Sequence, residues 1–340
     1  MPQEPKTRVV ILGGGFAGVF AAKALKKRAP PDIAVELINE TNYFVFQPLL
    51  PEVAAGGITV SDAVTPLRLL LPNVKVHRAE LIGFDMVAKT VSVVRGRKRR
   101  LTTVPYDHLV LALGQTVDLS DIPGMTEHAL TMKDLSDAFH LRNHVIDCLE
   151  HADTTADPDL KRELLTFVVV GAGFSGVETV GEVKDMIDHS LQFYSNVRPD
   201  EVRVLLIEFA PRILRELPEN LGRYAATQLA KRGIELLLET GVKSATGSAV
   251  ETSDGRIHAT RTIIATVGHA PWPLVLDSPF ETLRGKIKVD RFLRVAGQKK
   301  VWALGDMALI PLKDQAEDPS DYAPPTAQFA VREARSGLRY

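Results

Sequence analysis

The residues best placed to do chemistry in this chain are two sets of three glycines. Gly13, Gly15 and Gly18 stand in the spacing G-x-G-x-x-G directly after an apolar run at 9–12, and an Ala- and Lys-rich helical pattern at 19–28 follows at once. Gly171, Gly173 and Gly176 repeat the spacing after the apolar run 167–170, and the residue after the second glycine is again an aromatic, Phe16 in the first set and Phe174 in the second. In this arrangement the first glycine permits a tight turn, the second lets the backbone approach a pyrophosphate, and the third lets the helix pack close to the strand. The helix N-terminus then offers N–H groups and roughly half a unit of positive charge to the phosphates. Ala17 lies inside the first such turn. Each set is followed by a second strand pattern that ends at an acid: 33–38 runs into Asn39-Glu40, and 202–207 runs into Glu208. A carboxylate there, Glu40 or Glu208, accepts a hydrogen bond from a ribose hydroxyl. A lone glycine motif is weak, but strand, glycines, helix, strand and acid in order are specific, and two nucleotide sites on one chain are implied.

The elements that must position these sites follow from patterning. With 340 residues, 45% apolar and 24% charged, the chain has the size of two ordinary globular domains. A formal net charge of -1 gives no electrostatic footprint for nucleic acid, which is set aside as a partner. A single cysteine, Cys148, leaves no internal disulfide framework and no C-x-x-C redox pair, and no metal site is expected. The first eight residues do not read as a secretory signal, and no run of about 18 apolar residues suits a membrane span, so a cytoplasmic location is expected.

In chain order, 41–52 is a loop-rich aromatic stretch whose rings are expected in the core or against a planar cofactor, with core favoured, and a helix is expected near 66–71. Short strand patterns near 74–77, 81–85, 90–94 and 100–104 suit an antiparallel meander with the basic run 95–100 at its tip, either a solvated turn or a contact with anionic lipid head groups. The apolar run 108–114, with Ala112 and the closing Gly114, returns to the first sheet. A helix over 135–151 leads to the second motif, whose helix carries Glu178 and Glu182 one turn apart. A helix at 218–232, a strand at 234–238, a second meander over 242–258 and a return strand closed by Gly268 complete the second half. Finally, 301–306 is a short strand ending in Gly305-Asp306, and Pro324 opens a last helix.

Two glycine motifs, two glycine-closed return strands and a late Gly-Asp together resemble the flavoproteins with two dinucleotide-binding domains, in which the first binds FAD and an inserted second binds NAD(P)H. The implied fold is α/β, with two Rossmann-like domains that each carry a parallel sheet and a small antiparallel meander. The FAD domain is expected over 1–122 and 290–340, and the nucleotide domain over 123–289. Within that superfamily the stretch Asn42 to Gly56, Gly176-Val177-Glu178 and Pro324-Pro325-Thr326-Ala327-Gln328 look like type II NADH dehydrogenase, the non-proton-pumping NADH:quinone oxidoreductase. The resemblance implies that Phe46, Gln47 and Pro48 lie by the flavin and that Asp306 binds its ribityl chain. It also implies that Ala327 and Gln328 border the quinone site, and that Glu178 sits near flavin and nicotinamide in a charge-transfer or proton role. FAD and NADH are the implied cofactors and quinone the implied acceptor, with a peripheral membrane contact and a homodimer compatible with the family.

The chain departs from the family pattern at Pro51, where many members have an aromatic residue, and at Arg332-Glu333, where quinone-site glutamines are often found. It reaches Tyr340 without the family's amphipathic docking helices, so transfer from NADH to flavin is expected to survive better than transfer from flavin to quinone. Glu208 favours NADH, because a carboxylate repels a 2′-phosphate, although Arg212 four residues on could pair with one. Rival readings are a sulfide:quinone oxidoreductase, disfavoured by the single cysteine; a soluble FAD- and NAD(P)H-binding reductase of the ferredoxin reductase kind; and a redox-sensing remnant that does not turn over quinone.

Overall fold

The computed structural model describes residues 7–314, 316–318 and 321–336. They group into two compact units: the described parts of 1–45, 64–116 and 269–340 form one, and 46–63 with 117–268 form the other.

The first unit is built on β1 (Thr7–Leu12), a strand whose last four residues are buried on both faces, as the centre of a parallel sheet requires. It pairs in parallel with β2 (Ile33–Asn39) on one side and His108–Leu111 on the other, and Lys75–Arg78 and Val301–Ala303 complete the five strands. Helix α1 (Phe16–Arg28) connects β1 to β2. It buries Ala17, Gly18, Val19, Ala21, Ala22 and Leu25, and Lys26, Lys27 and Arg28 in its last turn complement the negative end of its dipole. Three antiparallel strands, Glu80–Asp85, Thr90–Arg95 and Arg100–Pro105, form the meander, with Val91 and Val93 buried beneath it. The basic run forms the turn between the last two of these strands; residues 96–100 are exposed, and Arg99 pairs with Glu80 at 2.9 Å.

The second unit repeats the plan. Its centre is β3 (Thr166–Val170), flanked in parallel by Thr262–Ala265 and β4 (Arg203–Ile207), with Ala129–Thr131 and Ile234–Leu237 at the edges. Helix α2 (Phe174–Ser190) follows β3 directly. Its meander is Val242–Ala245, Ala249–Thr252 and Ile257–Ala259. The helix Leu135–Thr154 starts with a capping box in which the Asp134 and Asp137 side chains each accept the other residue's amide.

Several details differ from the patterning. The aromatic stretch divides: Phe44 is 8% exposed and meets the Phe16 ring edge-on at 5.0 Å, whereas Phe46 is 43% exposed. The chain passes from one unit to the other between these two residues, because the short helix Leu50–Ala55 packs against α2 and Leu135–Thr154. The first unit resumes at His269, well before 290. Trp272 Nε1 donates to the Leu113 carbonyl at 2.9 Å, and the strand Lys286–Lys288 pairs with Ala308–Leu309. The last helix spans Ala327–Ser336, so it begins after Thr326, whose hydroxyl accepts the Phe329 amide, and not at Pro324.

Candidate functional site

The two glycine loops share one geometry. Gly13 donates to the Ile38 carbonyl at 2.9 Å and Gly171 to the Ile207 carbonyl at 2.8 Å, which ties each turn to the strand beside it. Gly13 has φ 107°, and a side chain there would run into the Ala112 carbonyl, so the position excludes other residues on both conformational and steric grounds. Gly18 and Gly176 lie over the carbonyls of Gly13 and Gly171 and bring each helix against its strand. Gly15 and Gly173 face open space and cap their helices without a side-chain hydrogen bond, and neither α1 nor α2 carries an acid in its first turn. Such a turn fits a pyrophosphate: the space a Cβ would fill is clear, and neither helix places a carboxylate of its own first turn at its positive end.

What faces each loop differs. In the second unit Glu208, 8% exposed, accepts the Ala172 amide at 2.7 Å through Oε2 and the Ala210 amide at 3.0 Å through Oε1. In the first unit that place belongs to Asn39, whose Oδ1 accepts the Gly14 amide at 2.7 Å; Glu40 is exposed one residue further on. Side chains alternate along an extended chain, so Asn39 after Ile38 corresponds to Glu208 after Ile207, and Glu40 is out of phase. Aligning the two strands on those isoleucines would have singled out Asn39. Arg212 is committed elsewhere, donating to the carbonyls of Leu214, Arg215 and Leu217.

Gly305 and Asp306 lie in a short 3-10 turn after Val301–Ala303, beside the N-terminus of α1: a Cβ at Gly305, where φ is 72°, would lie 2.9 Å from that of Ala17. The first unit therefore gathers Gly13, Gly15, Phe16, Ala17, Gly18, Ala112, Gly305 and Asp306 around one loop. Gly114, with φ 68°, follows in the same return segment. Ala327 is half-buried and Gln328 exposed at the start of the last helix.

In the second unit Gly268 ends the return segment with φ 83°. Phe174 and Pro48 are exposed, and Gln47 Nε2 donates to the Lys133 carbonyl at 3.2 Å. Glu178 projects from α2, and partial burial, then the nearby Glu52 carboxylate, raise its pKa above the ordinary glutamate value. Burial and Glu52 raise Glu182 in the same direction. Glu52, which sequence reasoning passed over, has Oε2 buried without a hydrogen-bond partner. Cys148 is buried, its sulfur 3.5 Å from His144 Nε2 and 3.7 Å from Thr262 Oγ1, and burial pushes its thiol pKa up, away from the reactive thiolate.

Residues 7–334 match the pyridine nucleotide-disulphide oxidoreductase family. The chain is 32% identical over 323 residues to the type II NADH:quinone oxidoreductase Ndh of Mycobacterium tuberculosis (strain ATCC 25618 / H37Rv), covering 91% of this chain and 68% of that protein. It is 33% identical to NdhA of the same organism, covering 96% and 70%. The structure of NDH2 from Plasmodium falciparum in complex with NADH superposes with a TM-score of 0.87 over 98% of this chain and 82% of that one, at 21% identity, and so shares the fold. The chain belongs to the pyridine nucleotide-disulphide oxidoreductase family and, within it, to the type II NADH:quinone oxidoreductases.

Proposed function

We propose that this chain is an FAD-dependent NADH dehydrogenase that passes electrons to a quinone without pumping protons, with FAD on the first glycine loop and NADH on the second. The observation that carries the reading is the pair of matched loops that differ in the group facing them, neutral Asn39 in one and the Glu208 carboxylate in the other. When bound, FAD would supply the chemistry: acceptance of a hydride from the nicotinamide and delivery of two electrons, with two protons taken up, to the quinone. The chain's own part is to bind and orient. The first turns of α1 and α2 hold the pyrophosphates, and Asp306 accepts from the ribityl hydroxyls. Phe46, Gln47 and Pro48 would take the flavin-side role that the family resemblance gives them, and Gln328 with Ala327 would border the acceptor. Glu178, whose pKa is raised by burial and then by the nearby Glu52 carboxylate, is the residue assigned to proton supply.

NADH is preferred over NADPH on two counts. The Glu208 carboxylate would meet a 2′-phosphate as a like charge, and the Arg212 guanidinium is already engaged by three backbone carbonyls. Among the described residues no helix is long and apolar enough to cross a membrane. Access to a lipid-dissolved quinone would then come through peripheral contact at the cytoplasmic face. The test is a spectrum: the purified protein should carry about one FAD, bleach on anaerobic addition of NADH, and respond far more weakly to NADPH. A protein that takes up no FAD, or that prefers NADPH, would overturn the assignment.

A further inference from the structure

Arg332 and Glu333 are adjacent, yet the last helix sends them to different places. Ala330 and Ala334 are 5% and 0% exposed, and Glu333, three residues after the first, shares their inward face. Arg332 stays exposed, with its guanidinium 5.8 Å from the Phe329 ring. Inward, Glu333 Oε2 accepts the Gly305 amide at 2.8 Å. Gly305 is also the residue that a Cβ would drive into Ala17 at the start of α1, so the carboxylate closes a three-way junction of α1, the Gly305-Asp306 turn and the last helix. The turn contains the residue whose direction matters for a bound flavin, Asp306.

We propose that Glu333 is a positioning residue of the flavin site: by holding the Gly305 amide it fixes where the Asp306 carboxylate points. The inference rests on the FAD reading above. It moves Glu333 from the acceptor side of the last helix, where its place in the sequence suggested it, to the cofactor side. Burial raises the pKa of Glu333 and lowers that of half-buried Lys286, and the opposite charges of the two groups partly offset both shifts. A half-buried carboxylate is costly unless it is hydrogen-bonded, and in this conformation of the turn the Gly305 amide supplies that bond.

The experiment is FAD titration into apoprotein for the wild type, Glu333→Gln, Glu333→Asp and Glu333→Leu, read by flavin fluorescence, with the thermal midpoint of each apoprotein measured alongside. An amide oxygen can still accept from Gly305, whereas a shortened or apolar side chain cannot. Glu333→Gln should therefore bind FAD within about threefold of wild type, while Glu333→Asp and Glu333→Leu should bind about tenfold or more weakly, the scale of a lost hydrogen bond to a charged group. If Glu333→Leu fails to fold, the contrast between Glu333→Asp and Glu333→Gln decides the question. Wild-type affinity in Glu333→Asp, or equal losses in the Gln and Asp variants, would overturn the inference and leave the FAD reading intact. Failure of the wild-type apoprotein to take up FAD would instead overturn that reading and this inference with it.

Discussion

At the residue scale the glycine loops were legible and the groups facing them only partly so. Gly13 and Gly171 are marked by type, because a positive φ with the Ala112 carbonyl against one and the Val267 and Thr266 side chains against the other admits little else, and the spacing of their partners is fixed by the turn. Asn39 and Glu333 carry no such mark. Each is set by strand phase or helix phase against a segment far away in sequence, and either identity is common on a surface. The nucleotide preference is tested at this scale by Glu208→Gln. One oxygen can still accept the Ala172 amide, so the loop should survive, while the charge that favours a ribose hydroxyl and repels a phosphate is lost. The hydrogen bond weakens by about 1 kcal/mol, so KM for NADH should rise roughly fivefold and the preference over NADPH should narrow, with FAD content unchanged. Steady-state kinetics with both nucleotides measure it, and an unchanged ratio would remove Glu208 from the site. Asp306→Ala should act on the other cofactor, lowering flavin occupancy at purification while leaving the nucleotide ratio alone.

At the element scale, the central parallel strands could be read because 9–12, 109–111, 167–170, 204–207 and 263–265 are short runs buried on both faces, and α1 and α2 because glycine loops start them. Where elements belong was harder. Nothing local in 46–63 says that it packs with the second unit, since that depends on which helices meet the helix Leu50–Ala55. The polar inserts of the sheets were also silent. Glu36, in the middle of β2 and 3% exposed, gathers Arg8 at 3.1 Å from β1, and Lys75 at 3.5 Å and His77 at 2.5 Å from the strand next to it. The hydrogen bond from His77, and the Lys75 and Arg8 charges against the cost of burial, hold its pKa below the ordinary glutamate value of 4.5. A lowered folded-state pKa means that the stabilisation is complete above the unfolded value and is lost as pH falls through the folded one. Glu36→Gln should cost about 1–3 kcal/mol at neutral pH, and the gap to wild type should close as urea unfolding is repeated below about pH 4. A gap that persists at low pH would mean that the carboxylate charge is not what holds the three strands together.

At the scale of the whole molecule, one strand–glycine–helix plan appears twice in a single chain, with a neutral group at one loop and an acid at the other. That duplication is what the proposed electron path needs, because a hydride donor and a flavin must be held at the same time by different surfaces. The two units together carry electrons from NADH through FAD to a quinone. The most direct measurement is anaerobic double-mixing stopped flow, in which the protein is first reduced with one equivalent of NADH and then mixed with a short-chain quinone while flavin absorbance is followed. Rapid bleaching is expected in the first step and slower, saturable reoxidation in the second, with Gln328→Ala slowing the second step further and leaving the first unchanged. Bleaching followed by no quinone-dependent return of the flavin band would contradict that electron path and leave a nucleotide-reduced flavoprotein with some other partner.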